Sequence, residues 1–454
     1  MSVFLTPGQL SWLEPVPEHW QVRKLRQLLT PFSERNRPDL PLLSVVREKG
    51  VIVRDVADKE ENHNYVPDDL SNYKVVRRGQ FVINKMKAWQ GSYGISRFDG
   101  IVSPAYFVFA FRQDVNPEFF HQAIRARTYV QYFAQASDGI RTGQWDLSMQ
   151  RMKEIPFLLP PREEQDRIVR FLNWKVSCIN RLAAGCRRRL DLLEEMKRTF
   201  IDRAVIQGLR QAPLAATGDA RWEISYPAHW KVQRVREVFT FRKGLSITKA
   251  NLKESGIPVV SYGQIHAREN SGTGLHQGLI RYVDESYLDS NPSALVEPGD
   301  FIFADTSEDL AGCGSCAYTD WEGPVFAGYH TIIAHPNEDI RGLYTAYLFR
   351  SPSWRSQIQR KANGVKVYSI TQKMLKDALI LQPPQEEQTE IVAYLNRACS
   401  RIDALAEKTR KKIAALQDLK VRLTAEAVTG GIDVRGIEIP DWEPEPAGDE
   451  ETEP

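Results

Sequence analysis

LPPREEQDRIVRFLN, from Leu159 to Asn173, and QPPQEEQTEIVAYLN, from Gln382 to Asn396, are two copies of one pattern set 223 residues apart. Each reads as the approach to a long helix. Pro161 or Pro384 suits the start of a first turn, and Glu163 with Glu164, or Glu386 with Glu387, places negative charge at the positive end of the helix dipole. A 3,4 apolar spacing follows. It runs through Val169, Leu172, Val176, Ile179, Leu190, Leu193 and Phe200 in the first copy, and Val392, Leu395, Ile402, Ile413, Leu416 and Leu423 in the second. Ala183, Cys186, Cys399 and Ala406 fill intervening seam positions, and Lys197 and Lys420 stand at matched ones. Such spacing over about five heptads, flanked by charges such as Arg187 to Arg189 and Lys408 to Lys412, predicts a coiled coil in which the two helices are each other's partners.

The polarity of that pair follows from reach. A helix of about 42 residues is about 60 Å long at 1.5 Å per residue. The connection from Gly208 to Trp222 extends over about 50 Å at most, too short to return to the start of the first helix. An antiparallel pair is expected, with the globular half that precedes each helix at opposite ends and a pseudo-twofold relating them.

The repeat extends beyond the helices. PEHWQVRKLRQLLT (Pro17 to Thr30) matches PAHWKVQRVREVFT (Pro227 to Thr240), setting His19 and Trp20 over His229 and Trp230 at an offset of 210. Gly79 to Phe81 matches Gly299 to Phe301 at 220. The drift in offset shows that the segments between landmarks differ in length, and they hardly resemble each other in sequence. A duplicated enzyme would keep its active-site residues twice; a duplicated reader of two different targets diverges where it reads.

Each globular half mixes short strands with helices and is expected to be α+β. FVINK, Gly100 to Phe111, FIFAD and His330 to His335 read as strands, Glu118 to Gln135 and Leu343 to Ala362 as helices. Domain bounds follow: 1–158 and 222–381 for the two globular halves, 159–208 and 382–430 for the helices, 209–221 for the linker, and 431–454 for an acidic tail expected to be disordered. With 454 residues and 42% hydrophobic content, real cores are expected. No run of eighteen apolar residues occurs and MSVFLTPGQL lacks a signal-peptide pattern, so a cytoplasmic protein is expected. The five cysteines favour a reducing compartment over a disulfide framework. Val434 to Pro454 hold eight acids against one arginine, so the net charge of +2 leaves +9 on the rest of the chain, compatible with a polyanionic partner.

Residue types that hold phosphates or reach base edges gather between the landmarks. In the first half these are Lys85, Lys87, Trp89, Gln90, Ser92 and Tyr93, then Arg141, Thr142, Gln144 and Trp145. The second half has Lys243, Tyr262, Gln264, Tyr329, His330, Lys366 and Tyr368. Catalytic signatures are scarce. There is no G-x-x-x-x-G-K-[ST] phosphate loop and no Asn-Pro-Pro or Asp-Pro-Pro before an aromatic residue. Cys313 and Cys316 lack a second pair at zinc-site spacing, and Glu195-Met196-Lys197 falls on the helical seam without the upstream Pro-Asp of a nuclease site. No metal site and no catalytic residue is expected.

The paired His-Trp segments, the Gly-Gln/Asp-Phe landmarks and the twice-occurring Pro-Pro-x-Glu-Glu-Gln helix resemble the specificity subunit of type I restriction-modification systems, over residues 10 to 433. The resemblance implies two target recognition domains, each reading one part of a bipartite DNA site, with the coiled coil setting the spacer. It also implies docking of two methyltransferase subunits and, in a full restriction complex, two ATP-driven motor-nuclease subunits. S-adenosylmethionine, ATP and Mg would then be bound by those partners and no cofactor by this chain. A coiled-coil scaffold binding two polypeptides without reading DNA is the alternative from a different class; an enzyme in its own right is the third.

Overall fold

The computed structural model describes residues 16–47, 49–54, 67, 69–139, 145–337, 342–364 and 366–441. The chain divides into two compact units, Met1–Cys186 with Lys411–Pro454, and Arg187–Arg410. The two long helices, Arg162–Gln207 (46 residues) and Gln385–Thr429 (45 residues), each give one half to each unit.

In the first unit a four-stranded antiparallel sheet has the order Leu29–Pro31, Tyr106–Phe111, Phe81–Asn84, Tyr93–Ile95. Its core face carries Phe81 and Phe109, which pack with Phe120 and Phe133 of the helices Pro117–Ile124 and Arg127–Gln135. A separate two-stranded ribbon pairs Gln21–Lys24 with Pro156–Leu159 and leads directly into the first long helix. The second unit repeats this plan. Its sheet order is Phe239–Lys243, Thr331–Pro336, Phe301–Ala304, Cys316–Tyr318, and its ribbon pairs Lys231–Arg234 with Leu379–Gln382. The units differ in what is added. The second carries a further four-stranded sheet in which Ile257–Val260 runs parallel to Val325–Ala327, where the first has two separate ribbons, Leu43–Val46 with Gly50–Val53 and Lys74–Val76 with Gly100–Val102.

Three expected elements are interrupted. The strand expected over Gly100 to Phe111 breaks into Gly100–Val102 and Tyr106–Phe111, because Pro104 supplies no amide hydrogen and the Tyr106 N–H closes a turn on the Ser103 carbonyl. The helix expected over Glu118 to Gln135 is two, ending and restarting around Arg125 and Ala126. That over Leu343 to Ala362 splits at Ser351, whose hydroxyl caps a new helix opening on Pro352. Residues 431–441, expected to belong to a disordered tail, instead pack on the first unit. Val434 is fully buried in the first unit's core, and the Arg167 guanidinium donates to the carbonyls of Val434 (2.7 Å) and Ile437 (2.6 Å). Residues 442–454 lie outside those described. No helix among the described residues is long and apolar enough to cross a membrane.

Within each unit the long helices run side by side with opposite polarity. In the first, Asn180 faces Lys420 while Ile168, Phe171 and Leu172 pack with Ala427 and Val428. In the second, Lys197 faces Asp403 while Ile201, Ala204 and Val205 share a core with Ile391, Leu395 and Cys399. Every residue named from the apolar spacing is withdrawn from solvent. Leu172, Ile179, Leu193, Leu395 and Ile402 are buried, whereas Val169, Val176, Leu190, Phe200, Val392, Ile413, Leu416 and Leu423 are half-buried. Leu182, Leu192 and Leu405, off the stripe, are exposed.

Lys197 is only 7% exposed, and its ammonium donates to Asp403 Oδ1 at 2.5 Å. Replacing a buried lysine by an apolar chain of similar length removes a charge that needs a partner, whereas deleting the partner strands that charge. Lys197→Met is therefore expected to change unfolding free energy by less than about 1 kcal/mol. Asp403→Ala should cost about 1–2 kcal/mol in denaturant titration, tempered by the exposure of Asp403 to water.

Candidate nucleic-acid interface

The frame that holds each candidate loop is closed by one carboxylate. Glu164, in the first turn of the first long helix, accepts from His19 Nε2 (2.7 Å) and from Trp20 Nε1 (3.1 Å). Glu387 does the same for His229 (2.6 Å) and Trp230 (2.9 Å). The glutamine that follows serves the same joint: Gln165 donates to the Pro160 carbonyl and Gln388 to that of Pro383. Burial would by itself raise the Glu387 carboxyl, but hydrogen bonds from Trp230 and His229, with the charges of His229 and Arg210, outweigh it and hold the group below its ordinary value. The sequence pattern alone relates these glutamates only to the helix dipole. The structure adds the specific partner that explains why His-Trp and Glu-Glu-Gln recur together.

In the second unit the strand Phe301–Ala304 ends at Asp305, and several side chains converge there. His330 turns its Nδ1 toward Asp305 Oδ1 (3.2 Å) and Thr306 Oγ1 (3.4 Å), while Thr306 Oγ1 donates to the same carboxylate at 2.8 Å. Tyr262 meets Tyr329 and His330 edge-on, with centroids 5.6 and 5.5 Å away. His266 lies beside Tyr262, its Nε2 2.8 Å from the Thr306 carbonyl. Tyr368 is brought in by strand pairing, opposite Ser307, and the Ile370 N–H donates to the Asp305 carbonyl. His330 has φ of 56°, a left-handed conformation that costs a non-glycine residue of order 1–3 kcal/mol. Among the described residues only Asn36 shares that departure.

The first unit builds the corresponding place from other residues. Phe81–Asn84 ends at Lys85, whose ammonium donates to Asp146 Oδ2 at 2.9 Å, and the Leu147 N–H donates to the Lys85 carbonyl as Ile370 does to Asp305. A tight turn follows: Lys87 is exposed, Gly91 adopts φ of 94°, and Trp89 tilts against Trp145 at 5.3 Å between centroids. Lysine and paired tryptophans stand where the second unit has aspartate, tyrosines and histidine.

The structure sorts the expected contacts. Lys85, Lys87, Trp89 and Gln90 lie together on the turn after Phe81–Asn84, and Tyr262, Tyr329, His330 and Tyr368 lie together after Phe301–Ala304. Tyr93 is a correction: it is fully buried against Phe81 and Phe133, so its ring belongs to the core. Ser92, 2% exposed, is likewise withdrawn. Gln264 uses its carboxamide oxygen to accept from the Ser261 N–H, closing a short helix. Lys243 and Lys366 are exposed. Arg141, Thr142 and Gln144 lie outside the described residues. Asp305, Thr306 and His266 went unnamed from sequence; matching Lys85 to Asp305 through the Gly-x-Phe landmark would have found the first. Cys313 and Cys316 are buried free thiols, and burial raises both, Cys316 to about 12.

Residues 227–415 match the family model of the type I restriction modification DNA specificity domain. The type I restriction enzyme EcoKI specificity subunit of Escherichia coli (strain K12) is 24% identical over 287 residues, 60% of this chain and 56% of that relative. The match thus spans little more than half of the relative's length. Among solved structures, a chain from work on complex assembly and conformational transition of the type I R-M system superposes with a TM-score of 0.65 at 17% identity, over 92% of this chain and 99% of the other. The HsdS subunit from Thermoanaerobacter tengcongensis gives 0.52 at 18% identity, with the same coverage of 92% and 99%. At these identities the likeness is one of fold. Residues 227–415 thus resemble the DNA specificity domain of type I restriction-modification systems.

Glu387→Ala removes the acceptor of two donors and should destabilise the second unit by about 2–3 kcal/mol in chemical unfolding. The pH dependence has a definite sign. The folded carboxyl titrates below its unfolded value near 4.5, so its contribution is complete above that value and disappears as pH falls through the lower folded one. Wild type should lose stability more steeply than Glu387→Ala below pH 4.5; parallel acid limbs would contradict this.

Proposed function

We propose that this chain is the DNA-reading subunit of a type I restriction-modification complex. The observation that carries this reading is the pairing of a repeated frame with unlike loops: the same sheet order and carboxylate clamp in each unit, with Lys85, Trp89 and Trp145 in one and Asp305, Tyr262 and His330 in the other. Recognition domains at 1–158 and 222–381 would each read one half of a bipartite, asymmetric site. Phosphate contacts supply salt-sensitive affinity and base-edge contacts the discrimination.

The long helices, in this proposal, form an antiparallel coiled coil with pseudo-twofold symmetry that fixes the unread spacer. Half-sites about 34 Å apart lie one helical turn from each other and face the same side of the duplex. The chain itself is non-catalytic and cytoplasmic. It docks two methyltransferase subunits and, where restriction occurs, two motor-nuclease subunits, which hold S-adenosylmethionine, ATP and Mg.

Mapping modified bases in the host genome with and without the chain tests the assignment: two unlike half-sites at fixed spacing should appear or vanish together. Matched seven-residue insertions, one in each long helix at facing positions, add about 10.5 Å. They should widen the spacer by about 3 base pairs at 3.4 Å each, leaving both half-sites unchanged. An unaltered spacer in a folded variant would sink the ruler.

A further inference from the structure

We infer that His330 is a specificity-determining residue of the second recognition domain, presenting Nε2 as a fixed acceptor for the exocyclic amino group of one adenine or cytosine in the major groove. This deepens the proposed function and rests on it.

Three observations converge. The first is orientation. Nδ1 faces two oxygens, Asp305 Oδ1 at 3.2 Å and Thr306 Oγ1 at 3.4 Å, and Thr306 spends its own hydrogen on the Asp305 carboxylate. The hydrogen of the neutral imidazole is therefore held on Nδ1, which leaves Nε2 with a free lone pair. Nε2 has no partner among the described residues, and the side chain is 58% exposed.

The second is rigidity. The His330 carbonyl accepts from the Asp305 N–H and the Tyr329 carbonyl from the Tyr262 N–H, so the backbone is fastened on both sides. Gly328, two residues earlier, packs so closely that a Cβ there would lie 2.0 Å from Ser261 Oγ. These contacts hold His330 in its left-handed conformation, and strain of this kind persists where surrounding structure over-determines it, commonly at functional sites.

The third is the setting. Tyr262 and Tyr329 flank the imidazole edge-on and limit the directions in which it can move. An exposed ring that is strained, oriented and braced is costly for a mere surface position. His276, by contrast, is an exposed histidine whose ring is used up locally, with Nε2 at the Glu269 carbonyl and Nδ1 accepting from the Gly278 N–H. In the major groove adenine N6 and cytosine N4 are the donors that an imidazole acceptor can meet.

The test uses the full chain with its methyltransferase partner. Modified-base mapping with wild type first defines the site. Duplexes carrying that site are then bound with single adenines replaced by purine, or single cytosines by the analogue lacking the 4-amino group. One such replacement in one half-site should weaken wild-type binding about 5- to 150-fold, the range for a specific base contact. His330→Ala should weaken binding to the natural duplex by a similar factor and be indifferent to that replacement, while remaining sensitive to changes in the other half-site. Asp305→Asn, which keeps the imidazole but loses its orienting carboxylate, should fall between. His276→Ala should match wild type. Thermal unfolding of each variant separates loss of contact from loss of fold, and variants melting with wild type carry the result. If wild type defines no bipartite site, the proposed function fails before His330 is tested. If it does, and His330→Ala discriminates as wild type at every position or remains as sensitive to every amino deletion, the assignment of His330 is overturned.

Discussion

In each unit a carboxylate at the head of a long helix accepts two hydrogen bonds from adjacent aromatic residues some 145–160 positions earlier, and the unit's order depends on that closure. The indole N–H of Trp20 or Trp230 is carried into the core with its ring, so it must find an acceptor there. Glu164 and Glu387 supply it at the point where the strand pairing of Gln21–Lys24 with Pro156–Leu159, or Lys231–Arg234 with Leu379–Gln382, hands the chain to the helix. Everything between the His-Trp pair and the glutamate is a loop closed by this contact. Its entropic cost rises only slowly with length. That is the physical reason the two intervening segments can differ in length and content while their ends stay alike.

The freedom so created is used at one end of the central sheet. Both units keep the strand order and the hydrogen bond from residue 147 or 370 back to residue 85 or 305, so two loops always meet beyond the strand that begins with the Gly-x-Phe landmark. What they present is reversed in character. A lysine tethered by Asp146 and a tilted tryptophan pair occupy one site; an aspartate that orients a histidine between tyrosines occupies the other. A donor-rich surface and an acceptor-bearing one suit different patterns of base edges, which is what the proposed function asks of them.

The helices were legible in the sequence because a 3,4 apolar stripe sustained over 45 residues has few competing explanations, and the burial of Leu172, Leu193, Leu395 and Ile402 follows from it. The repeat itself was legible in identities, His-Trp above all, although the reason for it was not: a hydrogen bond between residues 20 and 164 leaves no local signature. The loops were legible only in composition. Tyr93 and Lys87 look equally suited to a ligand surface in sequence, yet alternation along the strand Tyr93–Ile95 and the αL turn at Gly91 send the tyrosine into the core and leave the lysine outside. The repeat marks Asp305 as the counterpart of Lys85, but not its role, which lies in orienting His330, a residue 25 positions away.

The same distinction between pattern and partner bears on the helical seam. An apolar stripe specifies that two helices pack, but a seven-residue slip leaves apolar residues facing apolar residues, so it specifies register weakly. A polar residue at a core position specifies it strongly. Lys197 meets Asp403, and slipping its partner helix by one heptad would set the buried ammonium against Arg410 in one direction or Asn396 in the other. The first opposes like charges in a half-dry seam; the second leaves a buried cation with a neutral acceptor. In the other unit the matched lysine, Lys420, meets Asn180 at 3.4 Å, and its side chain is less buried than that of Lys197. The acid therefore stands where the lysine is most deeply desolvated, and the amide where water still reaches it. Register is held chiefly within the unit that carries Lys197 and Asp403, and any function of the helices as a spacer inherits its accuracy from that pair.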